Sequence, residues 1–306
     1  MALGLPLYVD DADANTDFMG NLAQTFLDTL DADWSTLLSY KSSLDKYWLP
    51  AFSGHLITDI RTSDIKKVLK KAPVSNKTKK NILIPLRGVF TLAMDDGMIT
   101  SNPVAAIKIK KHQKPKIQRF TRKERQSILG ASTGQALVYF AILFGCGLRP
   151  GEILALQWSD LEAEQFHVYK SIVRRQRKAS TKNHEARYVF IPTWAREIIK
   201  AHTTRWKKSY IFLNSFDRPH LDTDVFNRQW QITLEALNIP YRIPYTCRHT
   251  RAAELLSSGV EPGKAAQQMG HTLEMFYRIY AEWIEGYSQQ DDKHKLEGKV
   301  IAGEGW

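Results

Sequence analysis

Residues 108–116 read Lys-Ile-Lys-Lys-His-Gln-Lys-Pro-Lys, a basic stretch with a proline and no sustained apolar period, lying between two strongly periodic runs. Such a segment has no face to bury, and like charges along it keep the chain extended. The sequence therefore predicts two bodies joined by a tether, and 306 residues suffice for two domains with their own cores. Lys and Arg number 43 against 32 Asp and Glu, a formal net charge of +11. That balance makes a polyanion the first partner to consider, so the tether reads as a strap along phosphates rather than as a merely solvated link. No apolar run approaches the ~18 residues of a membrane span. With only Cys146 and Cys247, a disulfide framework is not the source of stability.

Residues 1–20, with Asp10, Asp11, Asp13 and Asp17 and no basic residue, read as a flexible acidic leader. Residues 21–107 are helical in pattern throughout. Leu22, Phe26 and Leu30 form one stripe. Trp34 to Trp48 is a second helix, ending at Leu49-Pro50 because proline disfavours helix for the residue before it. Thr62 or Ser63 caps a short helix to Lys71. A longer helix after Asn76 stops at Asp96-Gly97, and Pro85 within it predicts a kink or a later start. Residues 108–119 are the linker.

The second domain spans 120–286. Thr121-Arg-Lys-Glu124 fits a capping box. Ala136–Phe144 is an apolar helix ended by Gly145 and Gly147, and Glu152–Trp158 is a short helix. The period then switches to two at Phe166–Tyr169 and Arg187–Ile191, a small antiparallel β-element with a basic turn. Helices resume at Trp194–His202, Thr223–Leu237 and Thr246–Ser257, and residues 287–306 are a tail. The fold class is mainly α with a small antiparallel sheet, an α-helical domain followed by a mixed α/β one.

Familiar metal and nucleotide motifs are missing. There is no His-Glu-x-x-His, and Gly259-Val-Glu-Pro-Gly-Lys264 is one residue too short for a phosphate loop and is followed by Ala265. What stands out is a set of basic residues in special contexts. Arg149 lies at a glycine-rich break between apolar helices, Arg248 at a helix start, and His271 straight after Gly270. Tyr277 and Tyr280 follow, the latter nine residues past His271. Singly, these have ordinary readings as ion-pair, capping and core residues. Their conjunction in one order is the informative feature.

That conjunction resembles the tyrosine recombinase (phage integrase) family over residues 20–286. Gly147-Leu148-Arg149-x-x-Glu152, continued by Ile153 to Asp160, is similar to the family's first arginine box. Arg248-His249-Thr250 resembles the second box, and Gly270-His271 the Leu-Gly-His motif with Met269 in the leucine place. Tyr280 stands at the offset of the family nucleophile. Thr181-Lys182-Asn183 resembles the hairpin that carries a catalytic lysine, and Asn102-Pro103-Val104 the end of the core-binding domain. One departure is Tyr245, where the family commonly has histidine or lysine. A phenol with a pKa near ~10 is a poor base, so the acceptor of the nucleophile's proton stays open.

The resemblance implies a catalytic set of Arg149, Lys182, Tyr245, Arg248, His271 and Tyr280. Paired guanidiniums are planar, permanent donors that can fork across phosphate oxygens. Tyr280 would attack phosphorus to give a 3′-phosphotyrosine link, with Lys182, or Lys178 nearby, protonating the leaving 5′-oxygen. Because that link keeps the ester's energy, rejoining needs no nucleotide cofactor, and no metal is implied. Tyr277, three residues before Tyr280, is the minor candidate for nucleophile, and Glu152 orients the arginines. Phosphate contacts are expected from Lys66, Lys67, Lys70, Lys77, Lys79, Lys80, Lys110, Lys111, Lys114, Arg174, Arg175 and Arg177.

The implied partners are double-stranded DNA recombination sites, a homotetramer on paired sites with both domains closing around the duplex, and accessory DNA-bending or directionality proteins. The implied location is the bacterial cytoplasm, at the nucleoid when bound. The stretch after Trp283 either docks on a neighbouring protomer or is a loose tail. Phage integrases often carry an arm-binding domain ahead of the core-binding one, for which residues 1–20 are too short. The alternatives are a type IB topoisomerase and a non-catalytic DNA-binding regulator that keeps the fold.

Overall fold

The structure, a computed structural model, describes residues 17–110, 117–178, 186–202 and 209–281. The expectations for Lys111, Lys114, Lys182 and the tail after Trp283 fall outside them. The chain divides into two compact units, residues 1–115 and 116–306.

Among the described residues of the first unit there are five α-helices: α1 (Met19–Thr29), α2 (Trp34–Ser43), α3 (Leu49–Phe52), α4 (Thr62–Lys71) and α5 (Asn76–Asp95). Met19 is fully buried, so the ordered core begins inside the stretch assigned to the leader. The second predicted helix does not stop at Pro50. A π-helical turn, Leu44–Trp48, joins α2 to α3, and Pro50 sits in the first turn of α3, where an N–H is dispensable. The wider turn lets Trp48 and Leu44 both point inward, and the Trp48 indole donates to the Ile82 carbonyl at 2.8 Å.

Arg61, not Thr62 or Ser63, is the N-cap of α4. Its backbone N–H donates to Asp64, while Thr62 Oγ1 donates to the Pro103 carbonyl at 2.7 Å. Helix α5 begins at Asn76, capped by Ser75, and runs on through Pro85. A single missing hydrogen bond is outweighed by the buried stripe of Ile82, Leu86, Val89, Phe90 and Ala93 on either side of it. Asn102 closes the unit, its amide donating to the Arg87 carbonyl and its oxygen accepting from Val104 N.

In the second unit Thr121 and Glu124 form the expected reciprocal cap of α6 (Arg122–Gly130). Helix α7 (Gly134–Cys146) is apolar all round and buried from Val138 to Cys146. It is the axis of a core that includes an aromatic cluster of Phe120, Tyr139, Phe140, Phe144, Phe212, Phe226 and Trp230. Gly145 lies inside α7 rather than ending it; the chain turns at Gly147, φ +64°. Helix α8 is Pro150–Ala155, shorter than expected, and Trp158–Asp160 forms a separate 3-10 turn.

Strands β1 (Leu161–Glu162), β2 (Gln165–Val168), β3 (Ser171–Val173), β4 (Gln176–Lys178) and β5 (Arg187–Phe190) follow. They form a three-stranded antiparallel sheet, β1-β2-β5, with Phe166 opposite Val189, and a separate β3–β4 hairpin. Arg174 and Arg175, both at positive φ, make the hairpin turn. Strand β3 lies so close to α8 that a Cβ on Gly151 would stand 2.3 Å from the Ile172 carbonyl oxygen. Helices α9 (Thr193–Lys200), α10 (Asp224–Ala236), α11 (Thr246–Ser257), α12 (Pro262–Met269) and α13 (Leu273–Tyr280) complete the described residues. A second apolar cluster, including Ala252, Leu256, Ala266, Met269 and Phe276, locks α11, α12 and α13 together and includes Tyr280. No helix among the described residues is long and apolar enough to cross a membrane.

Candidate active site

The sequence around Arg149 dictates a sharp break. Gly147 takes the left-handed conformation that ends α7, and Pro150 then starts α8 with Arg149 as its N-cap. Arg149 is thereby held at a helix start, and Glu152, one turn on, accepts from its backbone N–H and from Nη1, both at 2.9 Å. Its Nη2 donates to the Gly270 carbonyl at 2.8 Å.

Glu152 is 2% exposed and also receives Arg187 in a fork, Nη1 to Oε1 at 3.1 Å and Nη2 to Oε2 at 2.7 Å. Burial alone would raise its pKa, but Arg187 and Arg149 outweigh burial and hold it at about 2. Arg187 owes its position to strand alternation, since it points inward with Val189 while Tyr188 and Phe190 point out. Its Nε reaches the Gln268 carbonyl. The α12–α13 turn fits against this guanidinium. Gly270 sits at φ +59°, and a Cβ there would stand 2.9 Å from Arg187 Cζ. Only glycine meets both conditions.

Arg248 is fully buried on the first turn of α11. It donates from Nη1 to the Gly147 carbonyl at 2.7 Å, and from Nη2 to the Met269 carbonyl and to His271 Nε2, the latter at 2.9 Å. Burial and the nearby Arg149 lower its pKa to about 10, which leaves it protonated at neutral pH. A guanidinium only donates, so His271 Nε2 accepts and the ring proton resides on Nδ1. Burial, then Arg248 and Arg149, push the His271 pKa down to about 3, so the ring is neutral. Arg248 Nε and His271 Nδ1 are buried without a hydrogen-bond partner among the described residues. Two guanidiniums, Arg149 and Arg187, share the Glu152 carboxylate, Arg248 lies beside them, and two unspent donors lie in the cluster. Such a cluster suits an oxyanion.

Tyr280, on the last turn of α13, is fully buried against this cluster. Its ring stacks on His271 with centroids 6.0 Å apart, and its hydroxyl lies 2.9 Å from His249 Nδ1. Burial raises the phenol pKa, partly countered by Arg248 and Arg149. Tyr277, three residues earlier on the same helix, is 42% exposed. Tyr245 caps α11 one turn before His249, the two rings meeting edge to face at 5.4 Å.

A profile of the phage integrase family matches residues 109–284. The chain belongs to the phage integrase family. Prophage integrase IntR of Escherichia coli K12 is 25% identical to it, the match covering 84% of this chain and 73% of that protein. Tyrosine recombinase XerC of Pediococcus pentosaceus is 24% identical, over 89% of this chain and 85% of that one. The fold is shared with the Tn1549 transposon integrase in complex with transposon right end DNA, TM-score 0.74 at 18% identity, covering 92% of this chain and 98% of that one. It is also shared with a lambda integrase tetramer bound to a Holliday junction, TM-score 0.71 at 19% identity, covering 88% and 82%.

In this family member the structure brings together Arg149, Arg248, His271 and Tyr280, with Tyr245 beside His249. Lys178 ends β4, paired in register with Ser171. The other expected contacts divide. Lys77, Lys80 and Lys110 are exposed and Lys79 partly so, whereas Arg175 is engaged by Asp222 at 2.6 Å and Arg177 stacks over the Tyr210 ring at 4.8 Å. Sequence reasoning missed two residues. Arg187 was only a landmark of its strand, although an arginine at an inward position of an alternating strand is a signal that it is paired. His249 was read only as part of a box, although it stands four residues after Tyr245 and so shares its helical face.

Proposed function

We propose that this integrase-family chain is a site-specific recombinase that cuts and rejoins DNA through a covalent 3′-phosphotyrosine. The observation that supports this best is the Tyr280 hydroxyl buried among Arg149, Arg248 and His271 on α8, α11 and the α12–α13 turn. Arg149 and Arg248 hold the non-bridging oxygens of the scissile phosphate, and His271 adds a donor through Nδ1. Donors fixed before charge develops need no reorganisation, and each is worth about 3–4 kcal/mol of barrier. Tyr280 attacks phosphorus and the 5′-oxygen leaves, protonated by Lys182 in the assignment carried over from the family. Glu152, tied to both Arg149 and Arg187, keeps the arginines in register.

The relatives support a DNA substrate, and by the same likeness the reading extends to a tetramer on paired sites; accessory DNA-bending or directionality proteins complete the reading without support from these relatives. Lys77, Lys79 and Lys80 fit as phosphate contacts. They crowd the N-terminal turn of α5, where basic residues oppose the helix dipole and add no stability. A nicked-duplex pool with a randomised central segment tests the function, the adducts being isolated under denaturing conditions and sequenced. Wild-type protein and Tyr277→Phe are expected to yield protein-linked DNA, and Tyr280→Phe none. An adduct that persists in Tyr280→Phe refutes the assignment.

A further inference from the structure

Attack by a buried phenol needs somewhere for its proton to go, and the groups around Tyr280 can be compared one by one. Tyr245, at the start of α11, is itself a phenol. Glu152 is forked by Arg187 and bonded by Arg149, so its lone pairs are spent and it is a feeble base. The acceptor nitrogen of His271 is taken by Arg248. Arg149, Arg187 and Arg248 carry no acceptor. His249 is different: its Nδ1 is 2.9 Å from Tyr280 Oη, its ring is half-buried, and it projects from α11 one residue beyond Arg248. With the imidazole proton on Nε2, the phenol donates to Nδ1.

We propose that His249 is a catalytic residue, the general base that takes the proton of Tyr280 as the phenol attacks. The inference rests on the recombinase reading and names a group that reading leaves unassigned. The Tyr280 Oη–phosphorus bond forms as the phosphorus–O5′ bond breaks. The phenolic proton moves to His249 Nδ1, giving an imidazolium, and O5′ takes a proton from the leaving-group acid. Rejoining runs the same transfers backwards. Position 249 is one helical turn beyond 245 on the same face of α11, so the imidazole occupies ground that Tyr245 walls but cannot serve as a base.

Burial and the adjacent Arg248 hold the free imidazole at about 4, so it is unprotonated and ready to accept at neutral pH. A phosphodiester between the arginines offsets Arg248 and brings the ring closer to the range where bases are effective. Tyr245, Arg248, His271 and Tyr280 are the titratable and charged groups that face it.

The test uses the duplex captured in the pool experiment and its analogue with sulfur in place of the bridging 5′-oxygen. A thiolate leaves without a proton, so the analogue repairs the loss of a leaving-group acid but not the loss of the nucleophile's base. His249→Asn and His249→Gln keep polar side chains of similar size that cannot be protonated near neutrality. Each is checked by thermal melting and gel shift, and one that folds and binds suffices. The expected result is unchanged DNA binding with single-turnover cleavage about 10²–10⁴-fold slower, on the oxygen and the sulfur duplex alike. Cleavage at the wild-type rate, or a defect that sulfur repairs, overturns the inference. Failure of the underlying reading shows separately, in wild-type protein and Tyr280→Phe before His249 is touched, and the inference falls with it.

Discussion

Glu152→Gln removes the carboxylate that Arg149 and Arg187 share while preserving its shape. Glu152 is buried, and its pKa falls from 4.5 to about 2 on folding against the cost of burial, through Arg187 and Arg149. At 1.36 kcal/mol per unit, its charged form contributes about 3 kcal/mol to stability. Removing it also strands Arg149 and Arg187 near Arg248, and breaking a buried pair costs about 3–5 kcal/mol. The sign follows from the depressed value. The contribution is complete above pH 4.5, shrinks as pH falls, and is gone below about 2. Urea denaturation of wild-type protein and Glu152→Gln, each followed by circular dichroism from pH 7 down to 3, measures the difference. The gap is expected to be several kcal/mol at neutral pH and to narrow steadily below pH 4.5. A neutral-pH difference under about 1 kcal/mol, the worth of a surface pair, or a gap that stays constant with pH, refutes the argument that this carboxylate holds the cage.

Gly270→Ala faces both φ +59° and the Arg187 guanidinium, so it is expected to cost about 1–3 kcal/mol and to slow cleavage by displacing His271; a melt and a cleavage time course check both. Arg248→Lys keeps a charge but not the fork that spans Gly147, Met269 and His271, and single-turnover cleavage is expected to fall about 10²–10³-fold with DNA affinity much less affected. Lys77→Ala and Lys80→Ala are each expected to weaken binding evenly across DNA sequences and to reduce the log–log salt slope by about 1; an unchanged slope removes that lysine from the interface.

Several parts of this chain were legible because the information is local. The capping box at Thr121–Glu124, the glycine turns at 147 and 270 and the apolar stripes of α5 and α7 depend on neighbours within a turn or two. Where local rules failed, long-range packing overrode them. Pro50 is tolerated in the first turn of α3, which the buried Trp48 turn leads into, and Pro85 sits inside α5 because burial of the α5 stripe outweighs a lost backbone hydrogen bond. The candidate site divides in the same way. Arg149, Arg248 and His271 stand at helix starts or turns that neighbouring residues announce, but it was their conjunction with Tyr280, in an order resembling the family's, that singled the four out.

What only the tertiary structure decided is which groups touch. The choice of Tyr280 over Tyr277 as the buried hydroxyl depends on how α13 is rotated against α11 and α12. The pairing of Arg187 with Glu152 joins a strand to a helix 35 residues away, and the contact of His249 with Tyr280 spans 31. By itself the sequence determined two domains, their helical and strand periods, and a cationic site at helix breaks. Charge and hydrogen-bond partners across those breaks follow from packing, because an arginine or an imidazole takes its acidity from whatever the folded chain brings within a few ångströms.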